Sequence, residues 1–114
     1  MNIGGSSVPS STLEVNGTVK LGTNGTQLNN IIKVTVVLDV PSIAAGTCSA
    51  QTLAVANATT TGTAFVSPAS ALTDNMVIAY TRVSAAGSVE AKFCNESVAA
   101  IDLASMNYYV TVIQ

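Results

Sequence analysis

At 114 residues, with four basic and six acidic side chains and a net charge of −2, the chain reads as one small domain with a short extension, and it has no basic stripe for nucleic acid. It is 48% hydrophobic and 9% charged, whereas a soluble surface ordinarily carries about 25–35% Lys, Arg, Asp and Glu. Histidine and tryptophan are absent, so the commonest general base and metal ligand is missing, and a composition this poor in charge suits burial against copies of the same chain.

Residues 1–12 are rich in Gly and Ser and lack periodicity, which predicts a flexible arm. Residues 13–30 hold two Asn-Gly-Thr units. Asn16-Gly17 invites a two-residue hairpin, but that turn would set Val15 across from Thr18 and Leu13 across from Lys20. Read straight through, Leu13, Val15, Val19 and Leu21 share one face, so a bent, extended stem is expected. One apolar stripe on an extended segment is marginal in water and needs partners. Leu13, Val15, Val19, Leu21, Leu28 and Ile31 are therefore the candidate contacts with the same segment of symmetry-related copies.

From Ile31 the sequence turns to β. IIKVTVVLDV sets Ile32, Val34, Val36 and Leu38 against Lys33, Thr35, Val37 and Asp39. Pro41 ends that strand, and Ile43 anchors the following connection. SAQTLAVANA places Leu53 and Val55 inward, NATTTG turns, and TAFVS is a short strand ended by Pro68. Asp74-Asn75 signals a turn before MVIAYTRVSA, in which Ile78, Tyr80 and Arg82 alternate beside Val77. After Ala86-Gly87, SVEAKFCN sets Val89, Ala91 and Phe93 against Glu90, Lys92 and Cys94. ESVAAIDLASMN is a connection with room for one helical turn. NYYVTVIQ closes the chain, with Tyr109, Thr111 and Ile113 on one face and Tyr108, Val110 and Val112 on the other.

About six strands separated by turn signals predict an all-β antiparallel sandwich of jelly-roll-like kind over 31–114. Both faces of the last strand are apolar enough that its second face should be covered by another sheet or subunit. Lys33, Asp39 and Pro41 interrupt the apolar runs well short of the ~20 residues of a membrane span, so membrane insertion is not expected. The N-terminal residues show no basic or apolar region of a signal peptide. Cys48 and Cys94 both fall on polar strand faces, where a bridge is conceivable; without a secretory signal, free thiols are the expectation.

The stretch from about Lys33 to Gln114 resembles a C-terminal β-domain of bacteriophage fibre and spike proteins. LDVPSIAAGTCSAQTLAV, AFVSPA, YTRVSAAGSVEAKFCN and AAIDLASMNYYVTVI carry the resemblance, in that order. Upstream, LEVNGTVKLG is similar to the stems that precede such heads. The resemblance implies a parallel homotrimer with a thin stem and a β-sandwich head, on the surface of a virion assembled in a bacterial host. The arm would dock on a capsid or tail protein. The chain departs from the pattern in its two cysteines and its brevity, which suits a stubby head fibre, decoration protein or tail tip. No enzymatic chemistry and no cofactor are implied.

The remaining motifs point the same way. Glu14, Asp39, Asp74, Glu90, Glu96 and Asp102 are scattered; only Glu90 and Glu96 are close enough in sequence to approach across a bend, and a hydrolytic spike enzyme is the least favoured reading. No zinc ligand set and no calcium loop occurs. Asn16, Asn24, Asn57 and Asn95 each open an N-x-S/T sequon, which a chain rich in Asn and Thr produces by chance. Tyr80, Tyr108 and Tyr109 are the receptor candidates, because phenols stack on sugars. The loops 57–63, 68–75 and 84–88 are the expected presented surface. A monomeric carbohydrate-binding or adhesin module is the alternative, and the lack of Trp counts against it.

Overall fold

The computed structural model describes residues 2–114; Met1, the first residue of the expected arm, and the side chain of Asn2 lie outside the described residues. The chain forms two compact units, Met1–Ile31 and Ile32–Gln114. The protein is all-β, and its antiparallel sheets pack into a sandwich.

The N-terminal unit is built from two-residue strands. β1 (Asn2–Ile3) pairs in parallel with β2 (Glu14–Val15), and Asn16 N–H donates to the Ile3 carbonyl at 2.8 Å. The first stretch of the expected arm is thus tied to the expected stem. β3 (Val19–Lys20) pairs antiparallel with β4 (Gln27–Leu28), and Gln27 Nε2 donates to Thr18 Oγ1. No hairpin forms at Asn16-Gly17, since β2 and β3 have different partners. The hairpin forms around the second Asn-Gly-Thr unit instead. There a Cβ on Gly25 would sit 1.9 Å from the Leu21 carbonyl oxygen, so only glycine fits. Among the described residues of this unit no side chain is buried.

The second unit is the sandwich. β5 (Ile31–Leu38), β10 (Met106–Ile113) and β7 (Thr63–Pro68) form one sheet in the order β5-β10-β7. β6 (Cys48–Ala54), β9 (Ser88–Asn95) and β8 (Met76–Ala85) form the other, in the order β6-β9-β8, with antiparallel pairing throughout. Tyr108, Val110 and Val112 from β10 meet Leu53 of β6 and Val89, Ala91 and Phe93 of β9, all buried. Each fully buried Val or Leu contributes roughly 1.5–3 kcal/mol. Phe93 and Tyr108 stack edge to face with centroids 5.7 Å apart. Where β7 lies beside β8, Thr81 Oγ1 donates to the Ala64 carbonyl at 2.7 Å and ties the two sheets together.

Alternation in β5, β9 and β10 follows the sequence pattern closely, but β8 does not. A bulge between Ile78 and Tyr80 reverses its faces: Ile78 packs on the core, while Tyr80 and Arg82 point to solvent. The 96–105 connection contains no helical turn. It is held by an isolated bridge in which Ile43 and Ile101 exchange N–H···O bonds of 2.9 and 3.0 Å.

The free-thiol expectation is overturned. Cys48 and Cys94 are register partners across β6 and β9 and form a disulfide, with Cα atoms 4.0 Å apart. Antiparallel pairing alone brings opposed side chains within bridging distance, which a pattern read strand by strand does not reveal. Just beyond, buried Asn95 has every polar atom satisfied. Its Nδ2 donates to the Ile43 and Ala99 carbonyls, both at 2.8 Å, and its Oδ1 accepts from Ser97 N–H and Oγ.

Candidate functional site

Three surfaces merit comparison. The first lies in the N-terminal unit. Val15, Val19, Leu21, Leu28 and Ile31 line one hollow of about 390 Å³, together with Gly17, Asn29 and Asn30. Five of the six candidate trimer contacts therefore converge, and Leu13 is outside the lining though 58% exposed. Leu21 and Ile31 are 73% and 62% exposed. The β3–β4 hairpin causes the convergence, setting Val19 directly across from Leu28. Nearby, Ser10 N–H donates to Glu14 at 2.8 Å and, with the Asn16 amide, holds that carboxylate below its usual range.

The second surface is the outer face of β6-β9-β8, where cross-strand pairing sets Tyr80 opposite Lys92 and Arg82 opposite Glu90. Tyr80 Oη donates to Glu90 Oε1 at 2.9 Å, and Arg82 Nε donates to the same oxygen at 3.0 Å. The Arg82 bond first, and the Tyr80 bond second, hold the Glu90 carboxyl below the ordinary range; the same contact pushes the Tyr80 hydroxyl up. Lys92 Nζ sits 5.7 Å from the Tyr80 ring centroid. Glu90 is thus engaged with a cation and a phenol rather than paired with Glu96, whose N–H binds the Asn75 carbonyl in a loop.

The third surface is the outer face of β5-β10-β7. Lys33 and Thr35 of β5, Phe65 and Ser67 of β7, and Tyr109 and Thr111 of β10 line an open groove of about 480 Å³. Tyr109 faces Ser67 and Thr111 faces Phe65 across the ladder.

The tyrosines separate sharply. Tyr80 and Tyr109 are 42% and 46% exposed. Tyr108 is completely buried with its ring on Phe93, so it cannot touch a receptor; β10 alternation turns it inward. Burial raises its hydroxyl pKa, and the hydroxyl oxygen has no hydrogen-bond partner among the described residues. Lys33, Thr35, Phe65, Ser67 and Thr111 were not singled out by sequence. Alternation puts each on an outward position, but only the strand order β5-β10-β7 gathers them.

The expected presented loops also divide. Gly87 N–H donates to the Ala58 carbonyl, Val55 N–H to that of Gly87, and the Gln114 amide to that of Asn57, so loops 57–63 and 84–88 share one end. Loop 68–75 follows one strand later and sits at the other end, where Asn75 meets Glu96. They are not one surface. Among the described residues no group of three or more His, Cys, Asp or Glu is placed to hold a metal. No helix is long and apolar enough to cross a membrane among these residues.

Comparison with protein families, curated proteins and solved structures finds no match to this chain.

Proposed function

We propose that the protein is a structural component of a bacteriophage virion: a short homotrimeric fibre, spike or decoration protein without enzymatic activity, contributing to host-surface attachment. One observation carries the reading. The N-terminal unit has strand pairing and an apolar hollow, yet no buried side chain among its described residues. Units below about 40 residues usually need disulfides, metals or oligomerisation to be stable. The only disulfide among the described residues is in the sandwich, which leaves association as the source of burial. Around a threefold axis, three copies of the hollow would bury Val15, Val19, Leu21, Leu28 and Ile31 against their equivalents. The resemblance of residues 33–114 to phage fibre heads supports the virion setting, and a disulfide suits an exposed particle surface better than a reducing cytoplasm. The N-terminal residues then contact a capsid or tail protein.

Sedimentation equilibrium at micromolar concentration tests the assembly. The expected mass is about three times the 11.5 kDa chain. A stable monomer would exclude the trimer and favour the second reading, a monomeric carbohydrate-binding module, which the groove containing Phe65 and Tyr109 supports.

A further inference from the structure

We infer that the groove on the outer face of β5-β10-β7 binds an acidic pyranose, a sugar ring bearing a carboxylate. The inference rests on the attachment role proposed above and names its receptor class.

The basis is a contrast between the two outer faces of the sandwich. On β6-β9-β8 the charged side chains and the tyrosine are already engaged: Tyr80 and Arg82 with Glu90, Lys92 with the Tyr80 ring. On β5-β10-β7 the opposite holds. The Lys33 ammonium, the Tyr109 phenol and the hydroxyls of Thr35, Ser67 and Thr111 make no side-chain hydrogen bond or ion pair with any described residue. They surround two aromatic rings, Phe65 and Tyr109, that are 53% and 46% exposed.

The register gives this set a shape. Thr111 faces Phe65 and Tyr109 faces Ser67, so ring and hydroxyl alternate around a four-residue patch. The two rings occupy diagonal positions, roughly 7–8 Å apart at the backbone. A pyranose has an apolar C–H face for an aromatic ring and hydroxyls at its edge for Ser, Thr and Tyr. The groove's volume of about 480 Å³ fits a small oligosaccharide. Charge selects the kind of sugar. Lys33 is the one charged residue of the lining and no carboxylate accompanies it, in a chain with a net charge of −2. A ligand carboxylate is the complementary group.

The full chain, ¹⁵N-labelled, is titrated with a galacturonate trisaccharide, with 3′-sialyllactose and with a neutral galactose trisaccharide. The two acidic probes separate a uronic-acid polysaccharide from a sialylated glycan as the source. The expected result is saturable amide shifts confined to β5, β7 and β10 with at least one acidic sugar. Lys33→Gln weakens that binding about three- to fivefold, and Tyr109→Ala about five- to tenfold. Tyr80→Ala, on the opposite sheet, leaves it unchanged. Both groove residues are exposed, so the substitutions spare the core. Equal binding of the neutral sugar, shifts centred on β6-β9-β8, or no saturation with either acidic sugar overturns the inference. The mass of the same sample is measured separately, so the groove and the trimer stand or fall independently.

Discussion

Tyr108 and Asn95 are both buried and polar, and they should answer mutation in opposite ways. The Tyr108 hydroxyl has no partner among the described residues, while its ring packs on Phe93. Tyr108→Phe keeps the ring and removes an unsatisfied group, so stability in urea should hold or rise by about 1 kcal/mol. A loss above that would mean the hydroxyl is bonded. Asn95→Ala strands the Ser97 N–H and takes one of two donors from each of the Ile43 and Ala99 carbonyls, and should cost about 3 kcal/mol. Glu90 gives a pH test. Its folded-state pKa is depressed by Arg82 and Tyr80, so its stabilising contribution is complete above the unfolded value near 4.5 and disappears as pH falls through the folded one. Thermal melts of wild type and Glu90→Gln should therefore converge as the pH drops from 6 toward about 3. Parallel curves would show that the Glu90 contacts carry no linkage.

Among the elements, long strands were legible and short ones were not. β5, β9 and β10 each span eight residues, enough for alternation to show which side chains face the core. The pairs β1–β2 and β3–β4 are two residues per strand, too short to carry a period, and Gly25 rather than an apolar pattern decides the hairpin. In β8 the extra residue at the Ile78/Tyr80 bulge shifts the phase, which no count of alternate positions foresees. Pairing partners are the deeper gap. The N-terminal apolar stripe was visible because its residues are neighbours in sequence, whereas the groove joins positions 33, 65 and 109 through strand order alone. The disulfide has the same origin. Replacing Cys48 and Cys94 together by Ser should lower stability by about 2–4 kcal/mol, since the bridge closes a long loop spanning 46 positions. Identical denaturation midpoints with and without reductant would show that the bridge is absent in solution.

For the whole molecule, the proposed assembly makes the N-terminal unit dependent on association and leaves the sandwich independent of it. Val19→Asp places a charge in the hollow and should reduce the trimer to single chains while the β circular dichroism of the sandwich persists. A Val19→Asp protein that keeps three times the chain mass would move the interface elsewhere. Asn95 has a further consequence, for which cells can produce this molecule at all. Asn95-Glu96-Ser97 is a valid acceptor for N-linked oligosaccharide, and in a secretory pathway that transfers glycans to nascent chains it would be modified before the sandwich closes. A glycan on Nδ2 takes one of the two hydrogens that reach Ile43 and Ala99, and it would have to occupy a site that is 1% exposed. Asn16, Asn24 and Asn57 are on the surface and would tolerate the same addition. The fold is therefore compatible with synthesis where that machinery is absent and self-defeating where it operates.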